Sequence, residues 1–194
     1  MSSKSLIISI TFFINGIFLA DLSAAVVAIA AQEGSDVIFR FSGSILTTNL
    51  KPLAVTPSTI RAGISPQTGG IGFGSVLGDD SARYLLFVAS LGPFGTGVGG
   101  FADSASGDIF GLVNNSRSAE LVLPKSYLSG STISGSMTFS NHTFQTLGLS
   151  PGTYEITWPV DTQIDRFTLV VVPEVSSTCL VLLSGVSMLL LRNR

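Results

Sequence analysis

The chain of 194 residues contains one cysteine, Cys179, one histidine, His142, and only 11% charged side chains. A lone cysteine closes no internal disulfide, and a lone histidine without cysteine partners builds no zinc centre. Lysines and arginines number 10 against 12 aspartates and glutamates, leaving a net charge of −2. With no basic surface to neutralise a phosphate backbone, nucleic acid is excluded as a partner. A strong helix-forming composition is missing as well. The 21 glycines, 28 serines and 16 threonines weigh against a helical bundle.

What the chain does have is a 45% hydrophobic fraction, and much of it is gathered at the two ends. Lys4 precedes an apolar run from Leu6 to Ala20, the pattern of a secretory signal peptide. Asp21 stops that run short of the ~20 residues that a membrane span needs. Downstream, Ala28-Ile29-Ala30 offers an A-x-A processing site. Cleavage is expected after Ala30, making residues 1–30 the signal peptide, with Ser23-Ala24-Ala25 as the second choice. At the other end Val175 to Leu191 carries no charge, and Arg192 and Arg194 follow it. A helix there would span roughly 26 Å at ~1.5 Å per residue, workable as a membrane anchor when the arginines snorkel. Export of the body would leave those arginines on the cytoplasmic side, as the positive-inside rule prefers.

Pro173-Glu174, the apolar segment 175–191 and the basic end formed by Arg192 and Arg194 together resemble the C-terminal sorting signal of PEP-CTERM proteins of Gram-negative bacteria. The family motif is Pro-Glu-Pro; here Val175 stands in place of the second proline. The resemblance implies a processing protease of the exosortase type as partner, with Pro173 and Glu174 as its recognition element and a transient inner-membrane stage before release to the cell surface. Residues 173–194 are accordingly expected to form the sorting tail.

The exported body, residues 31–172, has the size of one domain. Its apolar residues recur in short runs at strand lengths, among them Val37 to Phe41, Tyr84 to Leu91, Ile133 to Phe139 and Ile164 to Val172. Tyr154, Ile156 and Trp158 alternate with Thr153, Glu155 and Thr157, so one row faces inward and the other outward. Turn residues separate the runs, as at Thr68-Gly69-Gly70, Asn114-Asn115-Ser116 and Ser150-Pro151-Gly152. The expected fold is all-β, a single β-sandwich or jelly roll-like domain. Residues 51–78, rich in proline and glycine, show no clear period. The body is also similar to a recurrent type of PEP-CTERM protein through Gly107 to Gly111, Val122 to Gly130 and Leu147 to Tyr154. That similarity implies a surface location and a β-rich body, and it implies no activity.

Chemistry-bearing motifs are few. Gly95 to Gly100 matches GxGxxG in letters, but Pro93-Phe94 precedes it and no amphipathic helix follows, so a loop is expected. No GxSxG occurs to supply a serine nucleophile, and His142 is expected in a solvent-facing turn. Glu120 and Glu155 are the two glutamates well inside the body; a glycosidase would need them ~5–9 Å apart across a cleft. Asp79, Asp80, Asp103 and Asp108 lie in glycine-bearing loops without the spacing of a calcium loop. Neither metal nor cofactor is expected. Most of the body's phenylalanines are expected in the core, although exposed rings could stack on sugars. The expectation is an exported, non-catalytic surface or extracellular-matrix protein associated with polysaccharide. The alternative is a carboxylate-dependent glycan-processing enzyme.

Overall fold

The computed structural model describes residues 24–57, 61–74, 80–88, 91–115 and 118–172. Its strands run in chain order as β1 (Ala25–Glu33), β2 (Asp36–Ser44), β3 (Lys51–Pro57), β4 (Gly63–Ser65), β5 (Gly70–Phe73), β6 (Asp80–Leu86) and β7 (Gly100–Phe101). They continue as β8 (Ser104–Gly107), β9 (Phe110–Asn115), β10 (Ser118–Pro124), β11 (Thr132–Phe139), β12 (Gly152–Val160) and β13 (Gln163–Val171), with a 3-10 turn at Pro66–Thr68 and a short α-helix, α1 (Phe144–Leu147), before β12. The fold is therefore all-β, as the alternating pattern requires.

Two sheets share one apolar core. The first has the order β12-β13-β1-β2-β11-β8 and the second β3-β6-β10-β9-β5-β4-β7. Phenylalanine rings tie them together: Phe41 of the first sheet lies 4.4 Å from Phe73 and 5.5 Å from Phe110 of the second, and Phe110 reaches back to Phe167 at 5.4 Å. Such tilted ring pairs add about 1 kcal/mol each beyond the area they bury. Eight of the body's phenylalanines are buried, whereas Phe87 and Phe101 stand exposed.

Strand β1 is central and was not expected. It runs parallel to β13, with Ala25 opposite Arg166 and Ala30 opposite Val171, and antiparallel to β2. Val26, Ala28 and Ala30 are fully buried, while Val27 and Ile29 point outward. Residues 25–30, within the segment expected as signal peptide, are thus part of the described sheet. Ala28 and Ala30, expected to flank an export cut, are interior strand residues, and a cut after Ala30 would remove most of β1. Small residues alternating with larger ones satisfy a processing pattern and a tightly packed strand equally well.

Other segments also gained structure. Residues 51–57 form β3 despite Pro52 and Pro57, because β3 is the edge of its sheet and an edge strand spares one row of N–H groups from pairing. Helix α1 begins with a reciprocal capping box between Thr143 and Thr146 and ends at Gly148, whose φ of 68° is left-handed. The signal run 1–20, the sorting dipeptide Pro173-Glu174, the helix expected over 175–191, and Arg192 and Arg194 lie outside the described residues. Among the described residues no helix is long and apolar enough to cross a membrane.

A glycine-floored groove as candidate functional site

The outward face of the second sheet carries a groove of about 520 Å³. Its floor follows from strand register. Ile64, Ile71 and Leu112 point into the core, so the residues alternating with them point out. Across neighbouring strands Phe101 pairs with Gly63, Gly63 with Gly72, and Gly72 with Gly111. The three glycines of this row over β4, β5 and β9 are buried and add no side chain of their own, and Gly63 and Gly72 line the groove together with Gly70. Beyond them the row continues through Val122 and Arg83, and side chains rise again.

The two walls differ. On one side Phe101 is 62% exposed and Val98 is 81% exposed. The Arg61 guanidinium lies over the Phe101 ring, 4.2 Å from its centroid. On the other side Arg83 bonds Glu120 at 3.1 Å, and both side chains are largely buried. Ser65, Thr68 and Asn114 supply hydroxyl and amide groups along the lining, and the Asn114 amide is oriented by donating to the Thr68 carbonyl at 3.1 Å. The groove therefore combines glycine backbone, an exposed ring, a cation and hydrogen-bonding groups.

The structure does not bring the two glutamates together. Glu120 belongs to β10 of the second sheet, with Ala119 and Leu121 beside it facing the core. Glu155 belongs to β12 of the first sheet, exposed and 3.8 Å from Arg166. Each points outward from its own sheet, so the core separates them. The aspartates that were weighed for calcium act as backbone staples: Asp103 accepts from the Ser140 N–H at 2.7 Å, and Asp108 from the Ser134 N–H at 2.9 Å. Asp79 and the side chain of Asp80 lie outside the described residues.

His142 sits after the turn residue Asn141, half-buried with its ring 6.2 Å from Phe139 and its Nδ1 3.2 Å from the Thr146 hydroxyl. Of the segment 95–100, residues 95–99 form a loop and Gly100 opens β7. The loop's glycines allow backbone to meet backbone: a Cβ on Gly97 would lie 2.5 Å from the Gly148 Cα, and the Thr96 and Gly97 amides both donate to the Gly148 carbonyl.

One buried polar cluster escaped the sequence reading. Asp165 is fully buried on β13 and accepts from the Leu46 N–H at 2.7 Å. Burial pushes its carboxyl above the ordinary aspartate range, against the opposing pull of the Leu46 and Ala24 amides. Nearby, the Tyr127 hydroxyl accepts from the Ile45 N–H at 2.8 Å and lies 2.7 Å from the Ser131 carbonyl. Burial likewise raises the tyrosine above its usual value. These groups pin the segment after β2 to the end of the domain away from α1.

Compared with protein-family models, with curated proteins and with solved structures, the chain matches none.

Proposed function

We propose that the chain is an exported, non-catalytic surface or extracellular-matrix protein of the PEP-CTERM sorting type, whose jelly roll-like sandwich binds polysaccharide in the glycine-floored groove. The observation that carries the binding is the groove itself. Gly63, Gly70 and Gly72 add no side-chain bulk to the lining, Phe101 offers an apolar face to the C–H groups of a sugar ring, and Ser65, Thr68 and Asn114 meet its hydroxyls. The apolar end segments, Pro173-Glu174 and the terminal arginines support export and sorting, with an exosortase-type protease as processing partner and the inner membrane as a transient station. Separation of Glu120 from Glu155 by the core weighs against a two-carboxylate glycosidase.

Retention of the full chain, held in nonionic detergent, on the host's exopolysaccharide tests this, with released sugars measured in the same tube. Retention that drops at least tenfold in Phe101→Ala, without sugar release, is expected. Sugar release abolished by Glu120→Gln or Glu155→Gln would replace the binding protein with an enzyme.

A further inference from the structure

We infer that the groove selects an acidic polysaccharide and that Arg61 seats the sugar carboxylate. This rests on the groove being a glycan site. Of the two arginines in its lining, Arg83 is matched by Glu120. Arg61 is exposed and, among the described residues, contacts the Phe101 ring and no carboxylate. Among the described residues, Arg61 is thus the groove's cation without a carboxylate partner.

The seat of that cation over the ring also says what it can do. A guanidinium held over an aromatic ring still carries five N–H donors in one plane, and those not turned to the ring are open to a ligand. That plane is a fork for the two oxygens of a carboxylate. Holding Arg61 on Phe101 limits the rotamer freedom that a long side chain would otherwise lose on binding. The same ring that packs against a sugar therefore orients the group that would read its acid. Bulk electrostatics do not favour such a ligand, because the chain carries a net charge of −2 and repels a polyanion at long range. Preference for an acidic polymer would have to arise locally, at Arg61.

Gly70 provides an independent handle on the floor. A Cβ added there meets the Ser65 Cβ at 3.4 Å and nothing closer, so Gly70→Ala narrows the groove while the strands keep their register.

The experiment compares binding of the full chain, in nonionic detergent, to polygalacturonate and to the same polymer after reduction of its carboxyl groups. The wild type should bind the acidic form at least tenfold more tightly, and added salt should shrink that gap. Arg61→Met, which keeps bulk and removes charge, should bind both forms equally, at the level of the reduced polymer. Arg61→Lys should recover part of the preference, since it restores charge without the fork. Gly70→Ala should weaken both forms together. Equal wild-type affinity for the two polymers, or an acid preference that survives Arg61→Met, overturns the role of Arg61 and leaves glycan binding standing. Binding to neither polymer overturns both.

Discussion

Removing residues 25–30 should unfold the domain, and the size of the effect follows from where β1 lies. Val26, Ala28 and Ala30 are fully buried. Burying a valine side chain stabilises by about 2 kcal/mol and each alanine methyl by about 0.8 kcal/mol. The backbone matters more. Residues 25–30 pair with β13 along their whole length, and residues 26–30 also pair with β2. Six residues between two strands commit about a dozen N–H and C=O groups to ladder bonds, at about 1 kcal/mol net per bond. The combined loss exceeds about 10 kcal/mol, comparable to the ~5–15 kcal/mol net stability of a whole domain. Fragments 24–172 and 31–172 should be compared by far-UV circular dichroism and urea denaturation. The first should give a cooperative β-sheet transition and the second none. A cooperative transition for 31–172 within about 1 kcal/mol of the longer fragment would refute the central role of β1. If that role holds, an export cut compatible with the fold falls no later than Ala25, and mass spectrometry of the mature N-terminus should find it there.

Two further perturbations probe the buried polar cluster. Because the folded-state pKa of Asp165 is raised, the native state holds this proton more tightly than the unfolded chain; the contribution is greatest below the unfolded value of ~3.9 and is lost as pH rises through the raised folded value. Asp165→Asn should therefore remove a component of stability that grows on acidification, seen as a wild-type-minus-variant difference in urea midpoints rising from pH 7 to pH 4; a flat difference would contradict the assignment. Tyr127→Phe leaves the Ile45 N–H and the Ser131 carbonyl without the hydroxyl they share, which should cost about 1–3 kcal/mol, and a loss below about 0.5 kcal/mol by urea denaturation would show that the hydroxyl is dispensable.

Chain chemistry alone was enough for the β class and for its best strands. Alternation of Tyr154, Ile156 and Trp158 with polar neighbours marks β12, and Phe167, Leu169 and Val171 mark β13, because one buried face imposes a period of two whatever the partner strand is. The loop character of residues 95–99 was legible too, from their glycines and the preceding Pro93. Strand β1 was not legible, since its small inward residues read equally well as a processing site, and the strand is formed by pairing with β13 from the far end of the chain. Nor was the edge strand β3, whose prolines are tolerated only because of its place in the sheet.

The groove was the least visible feature of all. Gly63, Gly72 and Gly111 come from three separate strands, and each alone is an ordinary glycine in a turn-rich chain. Arg61 and Phe101 are likewise unremarked until β4 and β7 pair and bring them together. Periodicity tells which way a side chain points, but a binding face is made by residues side by side on neighbouring strands, and that adjacency is set by sheet order and register, which exist only once the chain has folded.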